Sequence, residues 1–191
     1  MSKIAGNEIR PGSMIEFEGQ LWMAVKTQAV KPGKGGAYNQ VELKNIVSGG
    51  KLNQRFRADE GVEEIELEKK DYQFLFANGD MLTFMDNETY DQITVNKEMI
   101  GEPADFLHEG MICTIQLYEG APLAVELPQS VVMTVVEADP VVKGQTASSS
   151  YKSGKLENGR RVMIPPHIEA GTRIVVNTAD GSYVERAKDK D

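Results

Sequence analysis

The sequence predicts an all-β protein built from three small β-barrel domains. Three observations carry that expectation. Apolar and polar residues alternate along runs rich in Val, Ile, Thr and aromatic residues. Tight-turn signals recur at short intervals between those runs. The strands also fall into three groups of about 60 residues, each the size of a small five-stranded barrel. Changeovers near Glu64 and near Pro128 to Ser130 give expected domains of 1–64, 65–129 and 130–191.

In chain order, "SMIEFEGQLWMAVKTQAV" gives a short strand, a Glu18-Gly19 turn and a longer strand. "YNQVELKNIVSGGKLNQRFR" gives two more around Ser48-Gly49-Gly50. "VEEIELEKKDYQFLFANGDMLTFMD" opens the second group, with Asn78-Gly79-Asp80 as a tight hairpin turn. One short helix is expected over Glu102 to His108, where Pro103 suits a first turn and Gly110 a stop. A hairpin around Glu119-Gly120 follows, and "VVMTVVEADP" starts the third group. There "GQTASSSYKSGK" reads as a long exposed loop, and "RRVMIPP" and "TRIVVNTADGSYVERA" as strands with an Asp180-Gly181 turn.

Composition narrows the function. Of 191 residues, 40% are hydrophobic and 26% charged, a balance that can build cores. No run approaches the roughly 18 apolar residues of a membrane span, and "MSKIAGNEIRPG" has no apolar signal region, so a cytoplasmic protein is expected. The single Cys113 permits neither an internal disulfide nor a multi-cysteine zinc site and reads as a small buried hydrophobe. His108 and His167 lack partners at metal-ligand spacing, so no metal or other cofactor is expected. There is no Gly-x-Ser-x-Gly elbow. A phosphate loop fails because position 28 is Gln and position 35 is Gly. Glu63, Glu64, Glu66 and Glu68 with Asp86 read as a solvated acidic face rather than a catalytic set. No catalytic residue is assigned, and an enzyme is not expected.

Charge is unevenly placed. The chain carries −8, yet Lys26 to Arg57 holds seven basic residues against the one acid Glu42, a net of +6, which leaves −14 for the rest. An N-terminal region that faces phosphate fits this pattern, as does a solvated basic sheet face without a partner. At the centre of the basic region lies "KPGKGGA". Pro32 stiffens one side of this connector, while Gly33, Gly35 and Gly36 remove side chains around Lys34 and permit positive φ. It is either a flexible loop ending in a soluble residue or a slender probe.

"VKPGKGGAYNQVELKNI" resembles the lysine-tip loop of bacterial elongation factor P. "FMDNETYDQI" is similar to that family's middle-domain stretch, "ADPVVKGQTA" to its third-domain loop and "GSYVERA" to its C-terminal signature. The resemblance runs through the whole chain in order, with initiation factor five A as a more distant relative lacking the third domain. It implies an L-shaped arrangement of an N-terminal SH3-like (KOW-type) barrel followed by two OB-fold barrels. It further implies a monomeric translation factor, not an enzyme, that binds the 70S ribosome between the P and E sites and relieves stalling at consecutive prolines.

The resemblance also assigns residues. Lys34 matches the position extended by β-lysylation, which implies a modifying enzyme similar to lysyl-tRNA synthetase. Lys31, Pro32, Gly33, Gly35 and Gly36 match the loop that presents Lys34 to peptidyl-tRNA. Gly144, Gln145 and Thr146 match the loop that meets the mRNA codon and ribosomal RNA in the E site. The family pattern there is Gly-Asp-Thr, and Gln both donates and accepts where Asp only accepts. Tyr183 and Arg186 match C-terminal ribosome contacts, although Tyr183 also suits a core aromatic of the last hairpin. The rival reading from another class is an off-ribosome single-stranded RNA-binding OB-fold protein, which needs aromatic platforms on a basic face.

Overall fold

The computed structural model describes residues 2–141 and 150–188. Among them every regular element longer than five residues is a strand. The first sheet holds β1 (Ser2–Ala5), β2 (Met14–Phe17), β3 (Gln20–Val30), β4 (Tyr38–Asn45), β5 (Lys51–Arg57) and β6 (Gly61–Glu64), in the order β1-β6-β2-β3-β4-β5. Period-two alternation puts Ile15, Ala24, Val41, Leu43 and Phe56 into one core with Ile9 and Val62. Phe17 meets Phe56 edge-on at 5.6 Å. The expected Glu-Gly turn joins β2 to β3, with Glu18 and Gly19 both at positive φ (51° and 73°), as a two-residue hairpin with right-handed twist requires.

The second sheet contains β7 (Glu68–Asn78), β8 (Met81–Asp86), β9 (Gln92–Asn96), β10 (Ile112–Tyr118) and β11 (Ala121–Glu126), ordered β11-β10-β7-β8-β9. Phe74 and Phe84 pair across β7 and β8 and touch edge-on at 5.4 Å. Cys113 is buried among these strands, and burial pushes its thiol up to about 11. The third sheet contains β12 (Ser130–Ala138), β13 (Lys152–Leu156), β14 (Arg161–Ile164), β15 (Arg173–Asn177) and β16 (Tyr183–Arg186), ordered β14-β13-β12-β15-β16. Val131, Met133, Val135, Leu156, Val162, Ile164, Ile174 and Val176 are among its buried positions.

Several expectations need correction. The helix is a 3₁₀ segment, Glu102–Phe106, that ends before His108. Pro103 suits its start, but five residues are too few to repay α-helix nucleation. The expected loop "GQTASSSYKSGK" ends as a strand, because its last four residues belong to β13. Gly154 looks like a loop residue but is buried for lack of room. A Cβ there would lie 2.8 Å from Ile164 Cδ1 and 3.1 Å from the Glu137 carbonyl. Asp86 is not on a solvated face: it is 3% exposed, accepts from the N–H groups of Glu88 (2.8 Å) and Thr89 (3.3 Å), and pairs with Lys70 at 3.5 Å. Those donors, the Glu88 N–H foremost, hold its carboxyl below the ordinary value. Glu63 and Glu64 lie in β6 opposite Lys3 and Ser2 of β1.

The chain forms two compact units. One comprises residues up to Glu68 with Leu117–Leu123, and the other comprises Lys69–Gln116 with the residues from Ala124 onward. Within the second unit, Arg160 Nη1 donates to the Glu102 carbonyl (3.2 Å) and to Asp105 Oδ2 (3.4 Å), and the guanidinium lies 5.2 Å over the Phe106 ring. Asn158 Nδ2 donates to the Asp105 carbonyl at 3.0 Å. The turn between β13 and β14 is thus fastened to the 3₁₀ segment of the preceding sheet's region by a cation–π contact and hydrogen bonds.

Candidate functional site

The hairpin β3–β4 is long, and its register runs from Trp22 opposite Asn45 to Val30 opposite Tyr38, with a bulge between Ala24 and Lys26. Its root is fixed from inside. Asn39 takes an inward position beside Val41 and Leu43, is 3% exposed, and donates from Nδ2 to the carbonyls of Gly6 (3.0 Å) and Ile9 (3.3 Å). Gly6 sits so close to β5 that a Cβ would run into the Arg57 carbonyl and lie 2.9 Å from Phe56 Cβ. The Ala58 N–H donates to the Ala37 carbonyl at 2.9 Å and closes the root on its outer side.

Beyond the root, seven residues join Val30 to Tyr38, and Lys31, Pro32, Gly33, Lys34, Gly35 and Gly36 are all exposed. Gly35 has φ +99°, a conformation that strains any side chain. Gly33 and Gly36 have no positive φ, and a Cβ on either would meet nothing within 4 Å. No contact among the described residues therefore requires glycine at those two positions. Among the described residues, Lys31 and Lys34 make no side-chain hydrogen bond or ion pair. The expected loop is thus a bare arm with a free ammonium at its tip.

Below the tip, the registers of β3–β4 and β4–β5 assemble the remaining basic residues on one face. Arg57 lies opposite Tyr38, Arg55 opposite Gln40, Lys26 opposite Glu42, and Lys51 opposite Lys44. The Arg55 guanidinium stacks 5.0 Å from the Tyr38 ring and donates to Gln40 Oε1 at 3.1 Å. Glu42, the one acid of this stretch, is engaged by Lys51 at 3.6 Å. Side chains of one face alternate with core residues, so five cations against Glu42, a net of +4, are presented outward while Val41, Leu43 and Phe56 point inward.

The C-terminal candidates lie in the second unit. Tyr183 opens β16, is partly exposed, and meets Tyr151 edge-on at 6.5 Å. Arg186 is exposed, opposite Ile174. Gly144, Gln145 and Thr146 fall outside the described residues. His108 and His167 are exposed, and among the described residues no three His, Cys, Asp or Glu side chains cluster as metal ligands. Nor is any helix of those residues long and apolar enough to cross a membrane. Sequence reasoning passed over Asn39 and Gly6. An amide at an inward position of "YNQVEL" was the available signal, since a buried amide needs internal partners.

Comparisons with known proteins agree along the chain. The family model of the elongation factor P KOW-like domain matches residues 5–62, that of its OB domain residues 67–125, and that of its C-terminal domain residues 131–186. Elongation factor P of Brucella canis is 58% identical over 185 residues, covering 97% of this chain and all of the relative, and that of Brucella ovis matches equally. A solved structure of eukaryotic translation initiation factor 5A from Methanococcus jannaschii superposes with a TM-score of 0.54 at 22% identity, covering 66% of this chain and 92% of the other, which is a likeness of fold.

Proposed function

The chain belongs to the elongation factor P family, translation elongation factors rather than enzymes, and from that premise we propose that it binds the ribosome between the P and E sites and speeds peptide-bond formation at consecutive prolines through Lys34. One observation carries the reading: a lysine without a partner among the described residues stands at the tip of a bare arm whose Gly33 and Gly36 meet no described contact that calls for glycine. Slenderness without an internal cause fits an arm that passes between RNA walls. The basic face of β3–β5 supports the same docking by offering cations to tRNA or ribosomal phosphates.

The chemistry is one of positioning. Proline is a secondary amine with fixed φ, so both the nascent chain and the incoming nucleophile are poorly placed for attack. A cation held at the CCA end of peptidyl-tRNA restricts that end to reactive geometry, and each tenfold gain in rate corresponds to about 1.4 kcal/mol. No acid or base from the protein is required. In this proposal Lys34 is extended by a β-lysyl group, added by an enzyme similar to lysyl-tRNA synthetase, which lengthens the reach of the arm. Gly144, Gln145 and Thr146 meet the E-site codon, and Tyr183 and Arg186 touch the ribosome. The division into domains 1–64, 65–129 and 130–191, a cytoplasmic location and a monomeric state belong to the same reading. An off-ribosome RNA-binding role is disfavoured because the second and third sheets lie in the acidic part of the chain.

The test is Lys34→Ala. The variant is expected to stay within about 0.5 kcal/mol of the parent's stability, because the side chain is exposed and makes no hydrogen bond or ion pair among the described residues, yet to stimulate Pro-Pro-Pro synthesis on purified ribosomes no longer. Undiminished stimulation would refute the proposal.

A further inference from the structure

We propose that Asn39 is a positioning residue for the Lys34 arm: its side-chain amide clips the base of the β3–β4 hairpin to the N-terminal segment and so fixes the direction in which the arm leaves the sheet. The inference rests on the reading above, in which Lys34 acts on peptidyl-tRNA. The two strands that carry the arm are supported unequally. β3 is buried at Ala24, but Gln28 and Ala29 near its end are both exposed, so neither face of that end lies against the core. β4 is the strand that keeps an inward position at this level. There Asn39 pairs with Ala29 on one side and with Phe56 of β5 on the other, one residue after Tyr38 opens the strand.

One NH₂ group supplies both donors of the clip, to the Gly6 and Ile9 carbonyls, 33 and 30 residues away in the sequence. Those acceptors are themselves anchored. The Gly6 N–H donates to the Glu60 carbonyl at 2.8 Å, the Asn7 N–H donates to the Ala58 carbonyl at 3.2 Å, and Ile9 is fully buried in the core. An apolar residue at position 39 would match Val41, Leu43 and Phe56 without the desolvation cost of an amide. It could not supply a directional tie, because hydrogen bonds fix an angle and apolar contacts do not.

Direction matters because the arm is a lever. Lys34 lies five residues from Asn39, so at about 3.3 Å per extended residue the tip stands up to about 17 Å away, and a tilt of about 5° at the root moves it by about 1.5 Å. A misplacement of about 1 Å can cost about a hundredfold in rate when catalysis depends on orientation. The other tie at the root, from the Ala58 N–H to the Ala37 carbonyl, restrains the outer side alone. Asn39 thus holds the inner side, where β3 contributes no buried residue next to the arm.

The experiment measures Pro-Pro-Pro synthesis on purified ribosomes against the concentration of the full-length chain, well below every variant's melting temperature. Asn39→Leu removes both donors while filling the space, and Asn39→Ser supplies one donor in place of two. Val62→Ala weakens the same core from β6 and leaves the clip intact. Each Asn39 variant is expected to reach half-saturation within about twofold of the parent's concentration but a maximal rate about tenfold lower. Val62→Ala is expected to melt earlier than the parent and keep its maximal rate. A residue needed only for stability would not lower the maximum of a folded variant. Parental maximal rate in a folded Asn39 variant, an equal loss in Val62→Ala, or failure of both Asn39 variants to fold would overturn the proposal while leaving the reading of Lys34 intact. Absence of stimulation by the parent chain would overturn both.

Discussion

The root and the tip of the β3–β4 hairpin are a few residues apart and answer to different constraints. At the root, Asn39 is held by two carbonyls and Gly6 by the lack of any room for a side chain, so both identities follow from contacts within the chain. At the tip, Gly33 and Gly36 border open space and Lys34 has no hydrogen-bond or ion-pair partner among the described residues, so no described contact accounts for their identities. A residue whose type the fold does not explain is the one to test for function.

Mutation at the root should produce the largest loss of stability. Gly6→Ala would press a methyl into the Arg57 carbonyl and Phe56, and is expected to destabilise the first unit by on the order of 3 kcal/mol in denaturant unfolding. A variant as stable as the parent would show that the root is not packed as described. Next in size is Arg160→Ala, which removes the cation–π contact with Phe106 and the bonds to Glu102 and Asp105. With Arg160 partly solvated, about 1–2 kcal/mol should be lost, read as earlier thermal unfolding of the second unit while the first is unchanged.

The smallest effect concerns Cys113. Its thiol, raised from 9.0 to about 11 by burial, stays protonated near neutrality and should resist thiol reagents at pH 8 until the protein is unfolded. The unfolded thiol ionises from about pH 9 while the folded one keeps its proton, so this contribution to stability is complete below pH 9 and is lost as pH rises towards 11. Cys113→Ala should flatten that alkaline limb in a series of unfolding curves.

Much of this contrast was readable in the sequence, and the missing parts share a cause. Hairpins signalled by Glu18-Gly19, Asn78-Gly79-Asp80 and Glu119-Gly120 are present because a two-residue reversal with positive φ leaves few residue choices. The exposed connector was legible for the same reason, whereas three glycines around one lysine left its role open between a flexible loop and a slender probe until the resemblance assigned one. β1 and β6 were not anticipated, since four residues such as "SKIA" or "GVEE" form strands only because a neighbour supplies hydrogen bonds. β13 was obscured by Gly154, whose role is set by Ile164 and Glu137. Asp86 and Arg160 were misread or passed over because their partners, the Glu88 N–H and Lys70 in one case and Glu102 to Phe106 in the other, are brought to them by the fold. Local turn chemistry is written in adjacent residues, whereas burial and tertiary pairing are not.

The most direct measurement of the claim that the tip is shaped for something outside the chain is Pro-Pro-Pro synthesis stimulated by the double variant Gly33→Val/Gly36→Val, which keeps Lys34. Neither added side chain starts within 4 Å of any neighbour, so the melting temperature should match the parent's while stimulation falls at least tenfold. Full stimulation by a stable, thickened arm would contradict the claim.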